Sequence, residues 1–185
     1  MHRRDALRFL GAATLAPLLA PLSASERWEL GQRLHAQVAA GQGARALSAS
    51  QWAELRSLAD SILPRTDTPG ALDVGAPEFV DLLLVEWYSD ADRQRLLTGL
   101  DALDARCRDA KGKPFAELDG AARADFLATI DGVRGQAGSP EETYRTLKEQ
   151  LVFGFLTSKP IAELTRTTPI IPGRFDGCVP LRGAQ

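Results

Sequence analysis

Leu30, Leu34 and Val38 recur at four-residue spacing between Glu26 and Ala40. That single apolar stripe predicts a helix, and Gly41-Gln42-Gly43 ends it. Ser48 or Ser50 opens a second helix, in which Trp52, Leu55, Leu58, Ala59 and Ile62 keep helical spacing until Pro64 stops it. Residues 64–70, Pro-Arg-Thr-Asp-Thr-Pro-Gly, are turn-forming types and read as an ordered loop. Pro77 suits the first turn of a third helix. From Phe79 to Tyr88 almost no polar face remains, so this helix is expected to be buried on most sides, by the chain itself or by a partner. Ser89 caps a long helix reaching about Ala110, with Leu96, Leu97, Leu100, Leu103 and Cys107 on one side. Asp119 caps a further helix carrying Phe126, Leu127 and Ile130. Ser139, Pro140 and Glu142 make a capping box with proline at the first helical position. In the helix that follows, Tyr144, Leu147, Leu151 and Phe155 share a face that Val152, Phe153 and Leu156 widen.

After Ser158 the periodicity fades into a stretch rich in proline and glycine, which reads as an extended arm. No segment alternates at period two for long enough to make a strand. The expected fold is all-α, an irregular bundle of about six helices with an extended C-terminal arm. The expected divisions are 1–24 as an export signal, 25–46 as an N-terminal helix and linker, 47–158 as the helical domain and 159–185 as the arm.

The first segment has its own logic. Arg3, Arg4 and Arg8 precede a run from Leu10 to Leu22 without charge, and small residues follow at Ser23, Ala24 and Ser25. That is the pattern of an export signal, and the run falls short of the roughly 20 residues that span a bilayer. Arg3 and Arg4 followed by Phe9 and Leu10 point to a twin-arginine signal, read by the twin-arginine (Tat) translocase, which carries folded cargo. A plain amphipathic helix and an uncleaved anchor are the competing readings. Cleavage is expected after Ala24 or Ser25. Removing residues 1–24 takes away three arginines and Asp5, so the net charge moves from −2 to −4. The mature protein is then periplasmic, where thiols tend to oxidise.

Composition narrows the chemistry. Of 185 residues, 44% are hydrophobic and 25% charged, which argues against wholesale disorder. The near-neutral charge argues against a nucleic-acid partner. Two cysteines and two histidines leave little for a protein-only transition-metal site. His35, at the edge of an apolar stripe, reads as a surface or boundary residue. Gly41-Gln42-Gly43-Ala44-Arg45-Ala46 fits the loose form of a dinucleotide loop, but it follows a helix rather than a strand. There is no Gly-x-Ser-x-Gly turn. Asp101, Asp104, Asp109 and Asp131 fall on polar helix faces and read as solvated. No self-contained catalytic apparatus is visible, and this favours a binding or accessory role.

Two features favour partnership. One is the apolar excess from Phe79 to Tyr88, which includes Trp87, together with Phe153 and Phe155. The other is Cys178, which follows Phe175 in the arm. Cys178 has three open fates: a bond to Cys107, a free thiol, or a bridge to another chain.

The helix end Ser61-Ile62-Leu63-Pro64, followed by Thr66-Asp67-Thr68-Pro69-Gly70-Ala71 and Val74, resembles the gluconate 2-dehydrogenase subunit 3 family. So do Tyr144-Arg145-Thr146-Leu147-Lys148, Gly154-Phe155-Leu156-Thr157-Ser158, and the ending from Gly173 to Leu181. The similarity spans about Leu47 to Leu181. The resemblance implies a non-catalytic small subunit of a periplasmic, membrane-associated sugar or polyol dehydrogenase. The large subunit, a flavoprotein of the glucose-methanol-choline type, would hold FAD and do the chemistry, with none held in this chain. A cytochrome c subunit often accompanies such a pair. The small subunit supplies the export signal, which Arg3 and Arg4 match. The resemblance supports Phe155 and Cys178 as contact positions and brings no catalytic residue. The alternatives are a stand-alone periplasmic helical binding module and an enzyme with an unrecognised carboxylate site.

Overall fold

A computed structural model describes residues 22–41 and 46–165, and within these the chain forms seven α-helices and one short 3-10 turn. They are α1 (Ala24–Ala39), α2 (Ala49–Ile62), α3 (Ala76–Glu86), α4 (Asp90–Lys111), the 3-10 turn Phe115–Glu117, α5 (Gly120–Ala128), α6 (Pro140–Thr157) and α7 (Lys159–Thr165). The all-α expectation holds.

Each start has a local cause. Ser23 and Glu26 form a full capping box on α1, and Ser48 and Gln51 form one on α2. The side chains of Ser89 and Asp119 accept from the backbone N–H groups of Asp92 and Ala122. Gly75, at φ 69°, turns the chain into α3, and Pro77 sits in its first turn. The box expected on α6 is half made. Ser139 accepts from Glu142 N–H, but the Glu142 carboxylate takes the N–H of Gly138 instead of that of Ser139. The extended arm does not begin at 159. Pro160 lies in the first turn of α7, where its missing N–H costs no hydrogen bond, and Ile161 is buried. Residues 166–185 lie outside the described part.

Helix α6 is the central element, packing most extensively on α3 and α4 and also meeting α1, α2 and α7. Small residues set these crossings. A Cβ on Gly154 would lie 2.7 Å from the Phe79 ring, and one on Gly99 of α4 would collide with the Thr143 hydroxyl of α6. Helix α3 is buried from Ala76 through Leu84 apart from Glu78. Its apolar run is therefore consumed by α1, α2 and α6 of the same chain. Phe79, Leu55, Leu58, Leu83, Leu100 and Leu103 form the fully buried centre. Each such side chain contributes about 1.5–3 kcal/mol by leaving water.

Candidate functional site

Among the described residues, the expected contact positions Trp87, Tyr88, Phe153 and Phe155 differ in exposure. Tyr88 is 6% exposed and its hydroxyl meets the Gln150 side-chain amide. Burial, reinforced by the nearby Glu142 carboxylate, pushes its phenol well above the usual range. It belongs to the chain's own core, because α6 lays a polar partner across it, and it presents nothing to another protein. Trp87 ends α3 and packs partly buried against that core. Phe153 is half-buried and meets Phe79 edge-on, with ring centroids 5.6 Å apart. Phe155 is half-buried. Among the large hydrophobics of α3, Val85 is the exposed one, at 44%. Arg3, Arg4, Phe9, Leu10, Phe175 and Cys178 lie outside the described residues. Cys107 is a free thiol with no exposure, so a bond to Cys178 would require it to leave the core.

His35 is a boundary residue with a definite task. Its Nε2 lies 3.0 Å from Thr157 Oγ1, while that hydroxyl donates to the Phe153 carbonyl at 2.8 Å. The His35 ring also meets the Gly154 backbone, so it has polar partners on α6 at two points. The ring also stacks on Phe79 at 4.7 Å. Burial lowers its pKa. His35 thereby ties α1 to α3 and α6.

A cleft of about 220 Å³ opens between α2 and α4, lined by Gln51, Glu54, Asp101, Asp104 and Arg108 among others. Asp101, Asp109 and Asp131 are exposed as expected, and the expectation of solvated carboxylates needs correction for Asp104 alone. Asp104 accepts the Phe115 backbone N–H at 2.8 Å and pairs with Arg108 at 2.6 Å. Asp101 accepts from Gln51 Nε2 at 2.9 Å. Asp104 is half-buried and held by the Phe115 backbone and the Arg108 side chain, whereas Asp101 remains exposed to water. Asp131 pairs with Lys148 at 2.7 Å, and Asp109 is exposed. Glu54 is only 3% exposed, and its Oε1 has no hydrogen-bond partner. Burial, and then the charges of Asp104 and Asp101, raise its pKa to about 9. The same field acts on Cys107, whose thiol is raised first by burial and then by Asp104 and Glu54. Among the described residues, no group of three or more His, Cys, Asp and Glu is arranged to hold a metal ion.

Glu54 was the residue that sequence patterning passed over, although a signal existed. Gln51, Glu54, Leu55 and Leu58 occupy one face of α2 at spacings of three and four. Reading that stripe by apolar residues alone hides two polar members at its edge.

The loop between α2 and α3 explains one of the quoted motifs. Ala71 N–H donates to the Leu63 carbonyl at 2.9 Å, and Gly70 N–H donates to Asp73 at 2.8 Å. A Cβ on Gly70 would sit 2.6 Å from the Arg65 backbone nitrogen, so only glycine fits this return. Arg65 meets Asp73 at 3.0 Å. This motif closes a turn and displays no reactive group. Gly154, which opens the third motif, serves the α3–α6 crossing in the same structural sense.

Residues 49–173, more than half of the chain, match the family described as gluconate 2-dehydrogenase subunit 3. No curated protein and no solved structure matches the chain. The match begins at α2, so α1 precedes it.

Proposed function

Because the chain belongs to the gluconate 2-dehydrogenase subunit 3 family, we propose that it serves as the non-catalytic escort and stabilising partner of a catalytic flavoprotein subunit. The family is one of dehydrogenase subunits, and the observation that carries the reading is the extent of the match, from the start of α2 past the end of α7. In this reading the partner is a glucose-methanol-choline type dehydrogenase that holds FAD and oxidises a sugar or polyol. The twin-arginine signal at Arg3 and Arg4 exports both chains folded, and a cytochrome c subunit takes the electrons onward. No described helix is long and apolar enough to cross a membrane. A standard interface buries roughly 1,600 Å² in total. Trp87, Phe153 and Phe155 retain part of their surface for it, as does Val85, whereas Tyr88 does not. A bridge from Cys178 would lock the pair after export.

The test is a non-reducing pull-down of the tagged full-length protein from its native host, read by absorbance and mass. A large partner with flavin bands is expected. A colourless lone chain overturns the reading and favours the stand-alone binding module. A complex that loosens in Cys178→Ser, while export continues, would identify the bridge.

A further inference from the structure

Among the described residues, three carboxylates have a buried oxygen without a hydrogen-bond partner: Glu54, Glu78 and Glu149. Glu78 and Glu149 have their other oxygen near an arginine, Arg56 at 3.5 Å and Arg145 at 3.4 Å. No arginine or lysine is paired with Glu54 among the described residues. Arg108, the one cation lining the cleft, is held by Asp104. Were Glu54 to ionise, Glu54, Asp101 and Asp104 together would outnumber Arg108 and leave the cleft short of positive charge. An ionised Glu54 would lack a counter-ion there, so the lone side chain keeps its proton.

We propose that the cleft between α2 and α4 is a receptor for the guanidinium of an arginine side chain carried by the partner subunit, with Glu54 as its buried ion-pair acceptor and Asp101 as the second. The chemistry of the lining selects this ligand. The carboxylates are not arranged as a metal site, and the space of about 220 Å³ exceeds a bare ion. Gln51 donates to Asp101 Oδ1, and the exposed Asp101 carboxylate can accept a further hydrogen bond, while Glu54 Oε1 is buried and unmet. A planar fork with five donors can reach two such acceptors at once. That the bearer is the catalytic subunit rests on the accessory-subunit reading, whereas the affinity of the cleft for a guanidinium does not.

The proposal carries a proton linkage. The charged and titratable groups around Glu54 are Asp101, Asp104, Cys107 and Arg108, all from α4, while α2 contributes neutral Ser50 and Gln51. A lone Glu54 holds its proton up to about pH 9. An entering guanidinium, charged throughout this range, favours the ionised form and expels the proton.

Carbon-13 NMR of the Glu54 carboxyl in the mature chain, with and without ethylguanidinium, tests the cleft by itself. The midpoint should fall by more than about one pH unit, a tenfold change in proton affinity, while exposed Glu117 stays put. A shift no larger than that of Glu117 overturns the proposal. Glu54→Gln should abolish probe binding. If that variant does not fold, Asp101→Asn should weaken binding several-fold, and unchanged binding in the variant that folds also overturns it. In the purified complex, Glu54 should no longer titrate near pH 9. A complex in which Glu54 titrates as in the lone chain overturns the arginine contact. Failure to recover any complex counts against the accessory-subunit reading instead, and the ethylguanidinium result then decides the cleft.

Discussion

The α3–α6 crossing and the α2–α4 cleft lie in one bundle and are built on opposite terms. At the crossing every demand is met inside the chain. Gly154 admits the Phe79 ring, and His35 finds the Thr157 hydroxyl at 3.0 Å. In the cleft, Glu54 is buried as deeply as its apolar neighbours, yet one of its oxygens has no partner. Close packing makes the first region self-sufficient. A buried acid that keeps its proton for want of a counter-ion marks where the second region gives up stability as pH rises, and where a cation would complete it. The apolar composition of α3 looks like an interface, but the polar cleft is where the chain is unfinished.

That contrast can be broken at its strongest point first. Phe79→Ala removes the ring on which α1, α3 and α6 converge and should cost about 3–5 kcal/mol in chemical denaturation. A loss below about 1 kcal/mol would mean that the crossing is not the structural centre. Gly154→Ala should cost about 1–3 kcal/mol by overpacking against the ring. Phe79→Leu should recover part of that loss in the double variant, a coupling read by a double-mutant cycle.

The cleft should respond to pH rather than to volume. Folded Glu54 holds its proton to about pH 9, whereas the unfolded side chain releases it near 4.5. Between those values the folded state binds more protons, so stability falls as pH rises, by at most about 1.4 kcal/mol per pH unit. Glu54→Gln should flatten that slope and be more stable than the wild type at pH 8. Parallel slopes for the two proteins would place Glu54 in water. His35 should show the smallest effect, with opposite sign. Its folded pKa lies below 6.5, so its contribution is present above pH 6.5 and is lost as pH falls through the folded value. His35→Gln should remove this acid-side loss in denaturation curves measured between pH 7 and 5.

The helices were legible because their signals are local. Ser48, Ser89, Asp119 and Ser139 each cap the helix they were expected to open. Pro160 misled because a proline in a first helical turn and a proline in an extended arm look alike without the buried Ile161 beside it. Tyr88 misled for a different reason: its burial depends on Gln150, which lies 62 residues away. Glu54 is a similar case, since its meaning depends on which α4 carboxylates face it. Tertiary pairing of polar groups leaves little trace in spacing, whereas capping does.

The glycine at the α3–α6 crossing has a consequence for the history of the sequence. A methyl group at position 154 would reach the ring at position 79, so the two sites cannot drift independently. A lineage that enlarges position 154 must also shrink position 79, and the intermediate holds either a clash or a void. The route that starts with the smaller ring position passes through a cavity, and the reverse route passes through an overlap. Substitutions at these two positions should therefore appear as ordered pairs, with the change at Phe79 preceding the change at Gly154.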